Sequence, residues 1–581
     1  MHPLLELERG TFRKKWKGRQ PVALLYPNTY PLAVSNLGYQ LVYKLLNSLD
    51  HIVCERFVYP QNHEAFRSLE SERTLSDFPL VFGSVSFEQD FPRLCAMLVA
   101  GGVEPYADRR GNEVRAGSPL VVFGGVGVFM NPEPLAEFAD IMVIGEAEAV
   151  LPALLKQLLQ PGSRQEVLQK IGSTLAGCYI PGGYTFSYRD DGRVNSISVM
   201  AGLPERVRKV VQGHQEVAAH SEILSPEAEL GMYMTELGRG CSRGCRFCAA
   251  GFIYRPPRLW KGDAVIAGLK ERPAGIDRVG LLGMEMSESS TLDRIAVYLQ
   301  ENDCSLSFSS LRADRITDQL LTLLAKSKLK SVAIAPDGCS QRLRRVINKG
   351  LAEKDLIDAA VALVGAGIYT LKLYVMIGLP TETVQDLDEL ISLLHRIRAE
   401  ILPLGQARGR VCEIVLSVNS FVPKPWTPFQ YLSFGGQERE RAENDLDCSG
   451  AVQSLRYKIK YLKKKLQKID NLHVKVDRPD KVLSQAVFSR ADRRIAPVLL
   501  DIGTGKRSFK QAMKAHDLRS WEYAVRPRAQ DEIFCWQVVD HGIKEGHLYQ
   551  ELEKAVAAKA TSPCDTTICR RCGVCDEDTT P

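Results

Sequence analysis

The run Gly240-Cys241-Ser242-Arg243-Gly244-Cys245-Arg246-Phe247-Cys248 sets three thiols in a C-x3-C-x2-C spacing near the middle of the chain. Thiolates at this density bind soft metals or iron–sulfur clusters. Three ligands are one fewer than a 4Fe–4S cube has irons, so one iron stays open and can bind substrate. The plainer alternative is a zinc knuckle that lacks its fourth ligand. A second group, Cys564-x4-Cys569-x2-Cys572-x2-Cys575, offers four thiolates. That set can close either a second iron–sulfur cluster or a zinc site. The other eight of the 15 cysteines (Cys54, Cys95, Cys178, Cys304, Cys339, Cys412, Cys448, Cys535) lie mostly in apolar surroundings and read as core filler.

A chain of 581 residues is too long for one core and predicts three or four domains. Hydrophobic residues make up 45% and charged residues 25%, the balance of a globular protein rather than a disordered or fibrous one. No run of about 18 apolar residues is present, so no membrane span is expected. The start, Met1-His-Pro-Leu-Leu-Glu-Leu-Glu-Arg, lacks a secretory pattern, and a cytoplasmic location is expected. In that compartment clustered cysteines are metal ligands rather than disulfides. The formal charge of +6 is uneven: residues 451–530 carry 20 Lys and Arg against 7 Asp and Glu, or +13. Such a segment fits a polyanionic partner, RNA first. A solvated helix face is the competing account of Arg456-Tyr-Lys-Ile-Lys-Tyr-Leu-Lys-Lys-Lys-Leu.

The elements that must position these groups form an α/β pattern. Residues 1–160 alternate strands (Val22–Tyr26, Ile52–Tyr59, Leu80–Val85, Leu120–Phe123, Ile141–Ile144) with helices, which predicts a doubly wound parallel sheet. Ligands of such sheets bind beyond the strand C-termini. The loops there hold Ser35, Asn36 and Gly38, then Ser84 and Ser86, then Gly124 and Gly125, then Gly145 and Glu146. Residues 161–228 read as a connector. Residues 229–430 show six further strands (Met232–Leu237, Arg278–Leu282, Leu306–Leu311, Lys330–Ala335, Thr370–Ile377, Cys412–Val418), enough for an open (β/α)6 barrel. A basic α+β region, 431–555, and a four-cysteine tail, 556–581, complete the chain. Ser489-Arg490-Ala491-Asp492-Arg493-Arg494 reads as an anion-binding turn or, preferably, a buried ion-pair knot.

The three-cysteine loop on the first barrel strand resembles the radical S-adenosylmethionine (SAM) superfamily. The resemblance implies that Cys241, Cys245 and Cys248 hold a 4Fe–4S cluster whose open iron chelates SAM. An electron from the cluster then cleaves SAM to a 5′-deoxyadenosyl radical. It also assigns a SAM contact to each successive strand end: Phe247 beside adenine, Gly283, Met284 and Glu285 at the amino group, and Ser309, Ser310 and Arg312 at ribose and carboxylate. Asp337 follows, one methylene shorter than the glutamate usual there, and then Gly378 and Leu379 near adenine. The implied electron donor is a flavodoxin- or ferredoxin-type protein. The first domain, through Asn131-Pro-Glu-Pro, Asp140 and Gly145-Glu146, resembles the cobalamin-binding domain that precedes many radical SAM cores. The histidine motif D-x-H-x-x-G is missing, so cobalamin would bind without a protein ligand on cobalt. Cys241–Arg258, Phe421–Gln430, Phe488–Arg494 and the last cysteines are similar to one family of cobalamin-domain radical SAM proteins, largely of unassigned function. The implied reaction is cobalamin-assisted methylation or rearrangement of a substrate, either RNA or a small molecule. Two alternatives stand beside it: a cobalamin-independent RNA-modifying enzyme of methylthiotransferase type, and a non-catalytic Fe–S or zinc RNA-binding protein.

Overall fold

Strand β1 (Gln20–Tyr26) is almost wholly buried, as a strand covered on both faces must be. The computed structural model to which it belongs describes residues 3–60, 65–213, 215–285, 289–308 and 311–575. β1 joins β2 (Ile52–Val58), β3 (Leu80–Ser84), β4 (Leu120–Gly124), β5 (Ile141–Val143) and β6 (Cys178–Tyr179) in one sheet of order 2-1-3-4-5-6. The first five are parallel, and β6 pairs antiparallel with β5. The sheet therefore reaches into the stretch read as a connector. In this order the topological switch falls between β1 and β3. Alternation divides the strand residues between two cores. Val22, Leu24, Phe82 and Val122 face the helices Leu37–Asn47 and Ala147–Leu158. Ala23, Leu25, Val81 and Phe123 meet the helix Phe91–Ala100 in a core continuous with that of the barrel.

The connector adds an antiparallel hairpin, β7 (Tyr184–Tyr188) with β8 (Val194–Val199), and a two-residue strand, β9 (Val207–Arg208). The barrel begins with β10 (Tyr233–Glu236). A short antiparallel pair, β11 (Gly238–Arg239) and β12 (Arg258–Leu259), follows. β13 (Arg278–Leu282) and β14 (Ser305–Phe308) extend β10 in parallel, and a bridge from Leu311 to Ile334 carries the sheet on. Then come β15 (Ser331–Gly338), β16 (Thr370–Ile377), β17 (Glu413–Ser420) and β18 (Leu472–Val476), all parallel. The six expected strands are present with shifted ends, and β18 is a seventh that sequence reading placed in the basic region. Its alternation of half-buried and exposed residues is that of an edge strand and carries a weak signal. Thr383 caps the helix Val384–Ala407 through the Asp386 carboxylate, as the capping-box pattern predicts. β19 (Val539–Asp540) pairs with β9 and draws the C-terminal region back to the connector. Among the described residues no helix is long and apolar enough to cross a membrane.

Candidate active site

The cysteine loop is closed by β11 and β12, whose register sets Gly238 opposite Leu259 and Arg239 opposite Arg258. Gly240 has φ +85°, and a Cβ there would lie 2.6 Å from the Tyr254 carbonyl oxygen, so only glycine fits. The three cysteines are half-buried and their thiols electrostatically coupled. Burial pushes the Cys241 and Cys245 thiols up to about 11 and raises Cys248 as well. A thiolate set here needs cationic partners, and iron supplies them. No three described His, Cys, Asp or Glu side chains converge closely enough to hold a single ion.

Three supports fix the loop. Glu285 accepts from the Ser242 amide at 2.7 Å and from its hydroxyl at 2.6 Å, with Arg243 Nε at 3.6 Å. Asn348 Nδ2 donates to the carbonyls of Arg243 and Gly244 at 3.2 and 3.3 Å. Arg246, wholly buried, pairs with Glu551 at 3.2 Å and donates to the Val346 carbonyl at 3.0 Å.

The expected SAM residues are distributed unequally. Gly283 and Met284 line a cavity at the ends of β10 and β13. A Cβ on Gly283 would meet the Glu285 carbonyl oxygen at 2.9 Å. Glu285, expected at the SAM amino group, spends both oxygens on Ser242. Arg312 pairs with Asp314 at 2.8 Å and donates to the Lys349 carbonyl at 2.8 Å. Asp337 sits at a register break in β15 with φ +58° and pairs with Lys349 at 2.5 Å. Burial raises its carboxyl. Lys349, raised by that partner against its own burial, lowers the Cys245 and Cys248 thiols by its charge. Asp337 acts on the same two thiols in the opposite sense, its own charge raising them. Phe247 is half-buried against the core. Gly378, with φ +75°, donates its amide to Glu382 at 3.0 Å. The Leu379 side chain is fully buried, which leaves only its backbone for a ligand. Ser309 and Ser310 lie outside the described residues.

Eight of the nine residues expected at the strand ends of the first domain line the same cavity: Asn36, Gly38, Ser84, Ser86, Gly124, Gly125, Gly145 and Glu146. The cavity, of about 450 Å³, lies between the two domains. Its first-domain wall is apolar, formed by Leu24, Phe82, Val122 and Val143. Ser35 is absent from the lining; its hydroxyl holds the Pro31 carbonyl at 2.7 Å and accepts the Leu230 amide at 3.0 Å. The glycines divide by role. Cβ atoms on Gly125 and Gly145 would strike the carbonyl oxygens of Val85 at 2.5 Å and Val210 at 2.1 Å, so these two serve the protein's own packing. A Cβ on Gly38 meets only Asn36 at 3.4 Å and one on Gly124 only Val143 at 3.5 Å, which leaves both backbones open to a ligand. Among the described lining residues there is no histidine.

Sequence reading missed how Glu146 is used. Its carboxylate pairs with Arg239 at 2.9 Å and with Arg258, and accepts the Gln212 amide at 2.9 Å. Arg239 also pairs with Glu148 at 2.7 Å and Glu236 at 3.1 Å. This hub locks the first domain to the base of the cysteine loop. Lys209 is equally unannounced: it donates to the Ile253 and Arg255 carbonyls at 2.7 and 2.6 Å, and burial lowers its pKa to about 7. The 489–494 run is the ion-pair knot. Arg490 holds the Leu432 carbonyl at 2.8 Å, Arg493 pairs with Glu133 at 2.8 Å, and Arg494 with Asp492 at 2.7 Å. Asn131 and Asp140 are structural too. Asn131 donates to the Ser489 and Ala491 carbonyls, and Asp140 pairs with Arg110 and Arg164.

A parallel partial barrel with a three-thiol loop after its first strand, facing a doubly wound sheet across a shared cavity, defines the class of radical SAM enzymes with an N-terminal α/β domain. Residues 38–181 match the family described as "Radical SAM proteins, N-terminal", and residues 235–394 match "Radical SAM superfamily". The chain thus carries a radical SAM domain preceded by the N-terminal domain described for such proteins. An uncharacterized protein of Methanocaldococcus jannaschii is 27% identical over 502 residues, which cover 85% of this chain and 93% of that one. Among solved structures, the radical SAM methyltransferase TsrM from Kitasatospora setae, bound to tryptophan and a SAM analogue, is 14% identical with a TM-score of 0.44. That match covers 74% of this chain and 77% of TsrM. The cobalamin-dependent radical enzyme OxsB with aqua-cobalamin is 13% identical with a TM-score of 0.45, over 93% of this chain and 81% of OxsB.

Proposed function

We propose that this radical SAM enzyme depends on cobalamin and transfers a methyl group to a carbon of its substrate. The observation that carries the reading is the shared cavity: the strand-end loops of the first domain and the Gly283-Met284 edge of the barrel open on one space. A ligand held by the first domain would there face one held by the barrel. When bound, the cluster and SAM supply a carbon-centred radical, and cobalamin supplies the methyl group. Cys241, Cys245 and Cys248 would hold the cluster, while Glu285 and Asn348 keep their loop in one conformation and Lys349 places a positive charge near two of the thiols. Leu24, Phe82, Val122 and Val143 shield the space from water and give a flat macrocycle an apolar seat. Asn36, Ser84 and Ser86 supply polar groups for its peripheral amides. The electron comes from a one-electron donor of flavodoxin or ferredoxin type.

The substrate is either RNA or a small molecule. Part of the positive charge of 451–530 is turned inward, Lys458 onto buried Glu382 and Arg493 onto buried Glu133. Lys460, Lys463, Lys464, Lys465 and Lys468 stay exposed along and just after the helix Ser449–Leu466, as do Arg478 and Lys481 beyond β18, and this basic surface keeps a polyanionic substrate in view.

The test is an anaerobic assay of protein reconstituted with iron and sulfide, with and without cobalamin, given SAM and a strong reductant. Expected are 5′-deoxyadenosine, abolished by Cys245→Ala, and S-adenosylhomocysteine only with cobalamin. Deoxyadenosine alone, with no cobalamin retained on gel filtration, would favour the methylthiotransferase-type reading, in which the first domain is a scaffold. The Glu146 hub gives that second reading its support. Neither product, from protein shown to hold its central cluster and tried with candidate substrates, would move the assignment to a binding protein.

A further inference from the structure

The last described residues are fastened to the catalytic loop. The Cys564 amide donates to the Ser242 carbonyl at 2.7 Å, one residue past Cys241. Asn348, which holds the carbonyls of Arg243 and Gly244, also accepts the Thr561 amide at 2.9 Å and donates to the Thr561 carbonyl at 3.1 Å. Arg246 donates to the Lys559 carbonyl at 2.8 Å and to the Thr561 hydroxyl at 3.1 Å. One asparagine and one arginine therefore bind both the three-cysteine loop and the segment leading to the four-cysteine group. Standard bond lengths place the Cα atoms of Cys564 and Cys241 within about 10 Å of each other.

The four cysteines form one group. Arg571 donates to Cys569 Sγ at 3.3 Å and to the Ser562 and Pro563 carbonyls at 2.7 and 3.0 Å, and the Lys544 amide holds the Cys572 carbonyl at 2.8 Å. The Arg571 contact to Cys569 Sγ offsets the anionic charge that four thiolates would bring to a cluster. The Cys564 amide contact sets such a site beside the three-cysteine loop, where a redox-active cluster has a use that a redox-inert zinc ion lacks. Ile568, 78% exposed, projects from the same turn beside exposed Arg570 and Arg571. An apolar residue beside two exposed arginines suits brief contact with an acidic donor protein.

We propose that Cys564, Cys569, Cys572 and Cys575 hold a second iron–sulfur cluster that relays electrons into the catalytic cluster. A reduced flavodoxin- or ferredoxin-type protein gives up one electron to the terminal cluster. The terminal cluster passes it across the Ser242–Cys564 contact and returns to its oxidised state. The catalytic cluster is thereby reduced by that one electron, which SAM cleavage consumes. The relay rests on the radical SAM reading; the metal site itself does not.

The two parts are tested separately, on the full chain. The variant Cys241→Ala, Cys245→Ala, Cys248→Ala, reconstituted anaerobically with iron, sulfide and zinc all offered, should retain about four irons and four sulfides per chain and a reduced-state paramagnetic signal. One zinc without iron, or no metal in a variant that melts like wild type, overturns the second cluster. The variant Cys569→Ser, Cys572→Ser should keep the catalytic cluster's iron and signal. It should lose SAM cleavage driven by a flavodoxin-type protein and keep cleavage driven by dithionite. Equal rates with both reductants, or equal losses, overturn the relay. In reduced wild type the two signals should broaden each other. A spectrum that is the plain sum of those of the two variants places the clusters too far apart and overturns the relay independently of turnover.

Discussion

Glu285 follows β13 and braces the cysteine loop. Its carboxylate takes two hydrogen bonds from Ser242, in the stretch between Cys241 and Cys245. Hydrogen bonds to a charged group contribute ~1.5–3 kcal/mol each, so Glu285→Ala should loosen the loop by a few kcal/mol. The expected result is iron lost to a chelator several times faster than from wild type, with a lower melting temperature. Glu285→Gln, which keeps one acceptor, should fall between. The thiols give a second prediction at this scale. Burial holds the apoprotein's Cys241 and Cys245 protonated up to about pH 11. Cluster loading near neutral pH should therefore release about one proton per thiol, read as acidification in weak buffer. The sign follows from the raised values. In the apoprotein the two thiols stabilise the fold fully below the ordinary thiol pKa, and that contribution disappears as pH climbs through about 11.

At the scale of elements, the strand-end loops of the first sheet do two jobs at once. Gly38, Gly124, Ser84 and Ser86 open on the cavity, while Gly145 and Glu146 bind that sheet to the connector and the barrel. Glu146→Ala would leave Arg239 and Arg258 short of a buried partner. Breaking a buried pair on one side typically costs ~3–5 kcal/mol. A clearly lowered melting temperature and poor retention of cobalamin on gel filtration are expected, whereas Ser84→Ala should affect retention without affecting melting. The strands and the order of their loops were legible because apolar runs and turn residues are local signals. The three-cysteine loop was legible because its spacing is short. What Glu146, Asp337 and Leu379 do was not legible. Their partners (Arg258, Lys349 and the surrounding core) come from other elements, and only the fold brings them together. The β18 edge was hidden for a related reason, since half-buried alternation in a lysine-rich stretch resembles a helix flank.

For the whole molecule, the C-terminal region is a clamp rather than an appendage. Arg493 reaches Glu133 in the first domain, Lys424 from the end of the barrel reaches Glu88, and Asn131 holds the carbonyls of Ser489 and Ala491. Glu133 is fully buried, so Arg493→Met would strand its charge at a cost of ~3–5 kcal/mol. The expected outcome is a large fall in melting temperature, partly restored by adding Glu133→Gln. Because the domains share one core, the first domain should melt with the barrel in a single calorimetric transition. Fastening of the catalytic loop to the tail has a consequence for biosynthesis. Ser242 waits for Cys564, 322 positions later in the chain, and Arg246 waits for Lys559 and Thr561. The loop that must grip iron thus gains these partners only once residues 559–564 have been made and have folded back onto it, so the radical centre is assembled late.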